Sequence, residues 1–350
     1  MKLCFKIITY MVILTLVLSA QVFAAGSNRA GTNAASELMI PVGARYIAMG
    51  GASAASVTGL DAIYWNPAGL DRMQHMAGGL FSHMTYIADI GVSYAAVGVK
   101  FGGVGSVGLS FKSLSLGDIA VTTSDDPDGT GGAIFSPQFM TIGLSFSRSL
   151  TDRVSVGGTA KIISETMDRV GATGFAFDIG AQYQNLGDIN GLTIGVVIKN
   201  LGPAMTYSGT GLLRKAEPLD VTRPASFYQV VAGSDELPST MEVGLGYTVN
   251  LGETNKVEVQ SHFVNNNFDD DFTRLGLEYN FNNMVFLRGG YGLSMNNSKD
   301  PTGESTSIFG LTLGAGFKHN FGSLTIGIDY AYRAVNYFDA NNVFSVELGF

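Results

Sequence analysis

The chain has almost no cysteine and little charge. Among its 350 residues the one cysteine is Cys4, 14% are Asp, Glu, Lys or Arg, and the formal net charge is −8. A soluble domain usually carries about 25% charged residues, and nucleic-acid-binding domains are usually basic. Disorder requires low hydrophobicity, whereas 46% of this chain is hydrophobic. The composition therefore excludes disorder, indicates no nucleic-acid partner and fits a water-soluble enzyme poorly.

Long hydrophobic runs are absent except at the N-terminus. There, Lys2 and Lys6 precede an apolar stretch over residues 7–18, and a small-residue cleavage site ends at Ala24. This order is typical of a secretory signal peptide, which we place at residues 1–24. A transmembrane anchor is the alternative, but the stretch is shorter than the roughly 20 residues that a membrane helix needs. Because both lysines and the cysteine leave with the signal peptide, the mature chain has no disulfide and a net charge of −10.

Glycine is abundant, with 46 residues, and apolar residues alternate with small or polar ones through most of the chain. From Met241 to Val249, for example, every second residue is Met, Val, Leu, Tyr or Val. A period of two predicts strands with one apolar face. We count about fourteen such runs after residue 76, with approximate centres at 81, 95, 109, 144, 158, 178, 195, 245, 260, 277, 289, 313, 328 and 346.

The connections between these runs alternate between short turns and longer loops. The first hairpin, from Tyr86 to Asp89, is short where a long loop is expected. An even number of strands, with short turns at one end and long loops at the other, is typical of an outer-membrane barrel. We therefore predict an all-β fold, a transmembrane antiparallel β-barrel of about 14 strands over residues 76–350. The long loops are expected at about 115–138, 165–173, 201–238, 265–271, 296–306 and 335–342.

Outer-membrane lipid would replace water around the outer face of this barrel. A closed barrel pairs every backbone N–H and C=O internally, and charges that face lipid are costly, which accounts for the low charged fraction. The chain ends in the alternating segment 344–350, and its terminal Phe350 resembles the signal read by the barrel-insertion machinery. A soluble sandwich or propeller is the alternative, but a propeller would show a repeat. The tyrosines expected in the interfacial aromatic belts are Tyr86, Tyr183, Tyr247, Tyr279 and Tyr332.

Residues 25–75 do not alternate, and they contain two distinctive motifs. In the first motif, adjacent glycines permit positive φ or close backbone approach. In the second, an Asn-Pro pair is a helix-start signal. The residues of the first motif that we single out are Arg45, Met49, Gly50 and Gly51. Those of the second are Tyr64, Trp65, Asn66, Pro67, Ala68, Gly69 and Leu70.

The two motifs, at this spacing and behind a signal peptide, resemble the N-terminus of FadL-like outer-membrane proteins, most closely the PorV/PorQ family. The rest of the chain shares only barrel length and strand count with that family. The resemblance implies a fourteen-stranded barrel in the outer membrane, with residues 25–75 folded into the lumen as a plug. We expect Arg45 and Asn66 to hold this plug against the wall by hydrogen bonds rather than to contact a ligand.

No catalytic or metal-binding motif stands out, so we expect a protein that is not an enzyme and that needs no cofactor or metal. The acidic turns at 125–129 and 269–271 are only fragments of a calcium loop. We expect the apolar patch at 227–231, within the 201–238 loop, either to cover the barrel mouth or meet a partner, or to pack on its own barrel as a lid or extra hairpin. The four histidines are scattered; they are His75, His83, His262 and His319.

Two functions remain open at this point. FadL-like barrels are plugged channels for hydrophobic small molecules, and this is the role that we predict, although the motif at 64–70 and the modest length lean towards the PorV-like branch. The alternative is a PorV-like component of type IX protein secretion, which binds secreted cargo proteins. Similarity within a plug reports the scaffold and not the task.

Overall fold

A computed structural model describes residues 29, 31–216, 226–295 and 308–350. Fourteen antiparallel strands follow one another around a closed barrel, and the last strand pairs with the first. All fourteen predicted centres fall inside these strands, so the predicted barrel is confirmed. The predicted signal peptide lies outside the described residues. The barrel strands β1 to β14 are Ala77–Thr85, Gly91–Lys100, Ser106–Ser115, Gln138–Ser149, Val154–Met167, Val170–Gln184, Leu192–Leu201, Thr240–Asn250, Lys256–Asn266, Phe272–Phe281, Val285–Ser294, Phe309–Phe321, Leu324–Val335 and Asn341–Gly349.

Short turns follow the even-numbered strands and define the turn end of the barrel; the opposite end is the loop end. The expected long loop at 165–173 is wrong, because β5 and β6 are joined by only Asp168 and Arg169. Asp168 has a left-handed backbone (φ 51°), which allows this tight reversal. The period of two continues on both sides of the turn, so the two strands extend as one long hairpin.

Three short ribbons lie among the loops of the described residues. They pair Ile119–Ala120 with Ile134–Phe135, Met205–Thr206 with Ser234–Asp235, and Leu213–Ala216 with Ser226–Gln229. We call the third ribbon the loop hairpin. The α-helices are Ala44–Ala48 and Ala62–Trp65, and the 3₁₀ turns are Ser36–Met39, Gly59–Asp61, Pro67–Arg72, Ile87–Asp89, Gly102–Val104, Leu186–Asp188 and Thr210–Leu212. Within the described ranges, no helix has the length and apolarity to cross a membrane.

The strands present apolar side chains outward and small or polar side chains inward. On β4, Leu144 and Phe146 are about half exposed, whereas the intervening Ser145 and the following Ser147 are fully buried. The outward face is therefore the lipid-facing surface that the alternation predicts. The inward face is polar or small because it meets other protein groups.

Tyr86 departs from the predicted aromatic belt, and that prediction is wrong for this residue. Its ring lies inside the loop end, 6.2 Å from the ring of Phe309. The cause is strand parity: Met84, two residues earlier, is buried on the inward face, and the intervening Thr85 is exposed. Tyr86 therefore points inward with Met84.

Residues 31–76, which we call the inner segment, run through the bore of the barrel. At the loop end, the Ala34 N–H donates to the Glu236 carbonyl at 3.0 Å. At the turn end, the Met76 N–H donates to the Phe350 carbonyl at 3.0 Å. The main hydrophobic core lies between the inner segment and the wall, and it includes the fully buried side chain of Trp65.

Candidate ligand-binding site

An ion-pair network ties the inner segment to the wall. Arg45 donates to both carboxylate oxygens of Glu278 on β10, at 3.0 and 3.1 Å. Glu278 also accepts a 2.6 Å bond from Arg288 on β11, and Arg288 pairs with Asp329 on β13. Glu278 is nearly fully buried, and together with Asp329 it compensates the charges of the two guanidinium groups.

Asn66 organises the bend in the middle of the inner segment. Its side-chain oxygen accepts the Ala68 N–H at 3.2 Å and caps the 3₁₀ turn that begins at Pro67. Its amide nitrogen donates to the Ala54 carbonyl at 2.8 Å and lies 3.4 Å from the Ala181 carbonyl on β6. The side chain is fully buried. Asn66 thus joins two parts of the inner segment and also reaches the wall.

Glycines on the inward face of the barrel wall let the backbone of the inner segment approach closely. A Cβ atom placed on Gly290 of β11 would overlap the backbone of Met49 and Gly50. A Cβ on Gly276 of β10 would lie 2.7 Å from the Met49 carbonyl oxygen. Gly50 and Gly51 themselves have φ values of 70° and 82°, which L side chains rarely adopt. The inward glycines therefore let two backbones approach closely.

The remaining residues of the second motif pack within the bore. The Tyr64 hydroxyl donates to the Ile40 carbonyl at 2.9 Å, and the Trp65 indole donates to the Val42 carbonyl at 3.1 Å. Gly69 leaves no room for a Cβ beside Val57, and Leu70 is fully buried. Of all the motif residues, those that line a cavity at the loop end are Gly50, Gly51, Tyr64 and Trp65.

This outer cavity has a volume of about 420 Å³ and lies between the inner segment and the loop-end wall. Pockets for small ligands typically measure about 300–1,000 Å³ and are mainly apolar. The cavity is rich in aromatic rings that come from both the segment and the wall. These rings belong to Tyr64, Trp65, Tyr86, Phe268, Phe272 and Phe309.

Two guanidinium groups line the same cavity without a carboxylate partner in the described part of the chain. Arg333 on β13 lies 3.9 Å above the ring of Phe309, and Arg274 on β10 lies 6.0 Å from that of Phe272. Arg333 is nearly fully buried. A ring face attracts a cation electrostatically, and two carboxylates line the cavity as well. The cavity therefore combines an apolar surface with positive charge that a ligand can meet.

A third cation, Lys199, is neutralised locally. The pairing of β6 with β7 shifts at a bulge, where Asn200 has a φ of 59°. Such a bulge re-aims neighbouring side chains. Lys199 lines the cavity and pairs with Glu242 on β8 at 3.0 Å.

His262 on β9 joins Glu242 to the inner segment. Its Nε2 lies 3.0 Å from Glu242, and its Nδ1 accepts the backbone N–H of Ser53 at 3.2 Å. The Ser53 hydroxyl is directed instead to the Gly51 carbonyl. A nucleophilic serine requires its hydroxyl on the base. The buried contacts of His262 with Glu242 and Ser53 therefore hold the inner segment against the wall.

A second, polar cavity of about 580 Å³ opens at the turn end and is lined by Arg45, Lys256, Glu258, Lys318 and Glu347, among others. His75 also lines it, whereas His83 contacts Ser93 and His319 stacks against Phe317. The inner segment lies between this turn-end cavity and the outer cavity.

In both acidic turns, an aspartate side chain accepts hydrogen bonds from backbone groups of its own loop. In the 125–129 turn, Asp126 accepts backbone N–H groups from Gly131 and Thr130 at 2.6 and 2.9 Å, and these bonds lower its pKa. In the 269–271 turn, Asp271 accepts the Asn266 N–H at 2.9 Å. Within the described ranges, no group of three or more acidic, His or Cys side chains is arranged to hold a metal ion.

Glu37 is a buried acid at the loop end of the inner segment. Burial and the charge of Glu165 raise its pKa to about 8. We expect the Ser36–Met39 turn to open more easily as the pH rises from 4.5 to about 8, since the exposed acid releases its proton there and the buried acid must keep it. Hydrogen exchange of these amides, corrected for intrinsic rates, measures the effect. Glu37→Gln should remove the pH dependence, and an unchanged profile would contradict it.

The sequence analysis did not single out the charged residues that line the outer cavity. The alternation places Glu242 between Met241 and Val243, and Arg274 beside Leu275, at positions that parity assigns to the lumen. The same parity assigns Arg333 to the lumen. A charged residue on the inward face of a membrane strand is a functional candidate by default, so this signal was present in the sequence.

The closed barrel, its apolar outer face and its filled bore define an outer-membrane β-barrel protein. The chain belongs to the PorV family: the family model of type IX secretion system protein PorV matches residues 23–244, more than half of the chain. This match confirms the predicted PorV-type assignment and supports the outer-membrane location.

Solved structures support the fold. The CymD monoaromatic hydrocarbon channel is similar at 13% identity and a TM-score of 0.54, covering 89% of this chain and 97% of that one. The Ralstonia pickettii toluene transporter TbuX is similar at 15% identity and a TM-score of 0.53, covering 88% and 98%. A Pseudomonas aeruginosa FadL homologue is similar at 12% identity and a TM-score of 0.51, covering 89% and 98%. No curated protein matches the sequence.

Proposed function

We propose that this protein is a non-enzymatic, plugged outer-membrane channel that binds hydrophobic small molecules in its outer cavity. The observation that carries the proposal is that cavity, which is lined by aromatic rings at the mouth of a blocked bore. Two similar folds are described as a hydrocarbon channel and a toluene transporter, which supports the same class of ligand.

The proposal assigns a task to each part of the chain. Residues 1–24 direct export and are removed, residues 25–75 act as the plug, and residues 76–350 form the barrel. Phe350 serves as the signal for the barrel-insertion machinery. In this arrangement the loop end faces the exterior, and ligand enters there. The plug must shift for a ligand to pass from the outer cavity to the turn-end cavity.

The two guanidinium groups that form no ion pair with a carboxylate among the described residues narrow the class of ligand. Arg274 and Arg333 meet an anionic group, while the aromatic rings cover an apolar body. A charge-assisted hydrogen bond contributes about 1.5–3 kcal/mol. An anionic amphiphile therefore binds more tightly than its neutral counterpart of equal length.

Arg274→Met should weaken binding of decanoate about tenfold or more and leave decanol nearly unchanged. Trp65 is the one tryptophan of the chain and lines the cavity, so its fluorescence reports binding directly. Arg153→Met, in an exposed turn at the opposite end, is the matched control. Equal affinities of the variant and the wild type for decanoate would contradict the role of Arg274.

The cellular test uses a deletion strain scored for uptake of a labelled hydrophobic compound and for its secreted proteins. Lost uptake with a normal set of secreted proteins supports the channel. Normal uptake would overturn it.

Cargo binding in type IX secretion is the second candidate, favoured by the family match and by the loop hairpin. All eight residues of this ribbon are exposed, including Phe227, and Val231 beyond it is 88% exposed. A large exposed apolar patch commonly marks a partner site. If the same deletion strain loses secreted proteins and keeps uptake, this candidate replaces the channel.

A further inference from the structure

The rim at the loop end carries an open cleft beside the outer cavity. The cleft lies between the turn 86–90 and the loop 336–340, which are neighbours because Thr85 of β1 pairs with Asn342 of β14. Its volume is about 590 Å³. Tyr86 lines both spaces and stands between them. Both connections that border the cleft are short, with five residues each between the flanking barrel strands.

Two exposed aromatic rings line this cleft. Tyr337 is 74% exposed and Phe338 is 47% exposed. Tyr337 has a φ of 69°, which is rare for a bulky side chain. Across the cleft, Ala88 and Asp89 have φ values of 53° and 58°. Residues held in this backbone region concentrate at binding sites, and here they face each other across one opening.

Carboxylates stand beside the rings. Asp89 and Asp339 both line the cleft and are exposed. An ionised carboxylate accepts hydrogen bonds and donates none, so it suits a ligand that is rich in hydroxyl groups. A flat ring with an apolar face suits the C–H face of a pyranose. The two carboxylates disfavour phosphorylated or acidic sugars through like-charge repulsion.

We propose that this rim cleft binds a neutral saccharide. The sugar stacks on Tyr337 and Phe338 and donates its hydroxyl hydrogens to Asp89 and Asp339. The chemistry is the same for a free oligosaccharide and for the headgroup of a neutral glycolipid in the surrounding leaflet. The site is separate from the proposed channel ligand, because it lies outside the outer cavity and does not involve Arg274.

The test uses the full-length protein in phosphatidylcholine nanodiscs. One arm titrates N,N′-diacetylchitobiose and maltotriose and follows saturation transfer to the sugar by NMR. The second arm adds monogalactosyl diacylglycerol to the disc and follows transfer to its headgroup. Binding in the first arm assigns a free saccharide. Binding confined to the second arm assigns a lipid headgroup. The absence of binding in both arms overturns the proposal.

Variants locate the site. Tyr337→Asn should weaken binding about tenfold, since stacking is lost while Asn tolerates the left-handed backbone. Asp89→Asn keeps the turn and should also weaken binding. Tyr332→Leu, on the lipid-facing side of β13, is the matched control and should bind as the wild type does. If either cleft variant folds, as judged by the heat-dependent mobility of its barrel, and binds as the wild type does, the proposal is wrong.

Discussion

Gly290→Val should unplug the barrel. A Cβ at this position overlaps the backbone of Met49 and Gly50, and neither partner can move aside by rotating a side chain. Overpacking of this kind costs about 3 kcal/mol, which corresponds to about a hundredfold larger unplugged population. Valine favours strands, so β11 itself should persist. Conductance in planar bilayers should therefore exceed that of the wild type.

The adjacent glycine provides a matched control. Gly289 faces outward, and the nearest atom to its added Cβ would be a side-chain carbon of Leu313 at 3.6 Å. Gly289→Val should therefore leave conductance unchanged while it makes the same change in composition and strand propensity. If both variants conduct alike, the inner segment does not block the bore.

Glu278→Gln should release Arg45 from the wall. The substitution keeps the shape of the side chain but leaves Arg45 and Arg288 facing each other without their shared carboxylate. Breaking a buried ion pair costs about 3–5 kcal/mol. Trypsin cleavage after Arg45 should accelerate about a hundredfold or more, because cleavage follows the population of the open form.

Two further variants make this result specific. Glu253→Gln, in an exposed turn at the same end, should leave the cleavage rate unchanged. A double-mutant cycle that combines Glu278→Gln with Arg288→Met gives the coupling between these two side chains, since Arg288 keeps its pair with Asp329 in the Glu278→Gln variant. An unchanged rate in Glu278→Gln would show that the network does not hold the segment.

Strand parity explains both the success and the errors of the fold prediction. Alternation over eight or more residues places β8 and β10 correctly, because one face must be apolar and the other must not. The same alternation, extended by two residues from the inward Met84, would have placed Tyr86 on the inward face. It would also have predicted that β5 and β6 extend through residues 165–173, since only Asp168 and Arg169 interrupt the alternation there.

The site was harder to predict, because it depends on contacts between distant parts of the chain. Arg274 lies beside Gly51 and lines the same cavity as Trp65 and Arg333. No local pattern reports such proximity. The motif in the inner segment predicts small residues and a cap, but it does not show which wall glycines receive the backbone.

The path of the inner segment also constrains how the chain assembles. The segment leaves the bore at the seam where β14 meets β1, through the bond between Met76 and Phe350. Further inside, the Ala44 N–H donates to the Ser345 hydroxyl at 2.8 Å, across 301 positions of sequence. The last strand in the sequence therefore completes both the wall and the packing around the inner segment. Closing the seam therefore brings together the wall groups that hold both ends of this stretch of the inner segment.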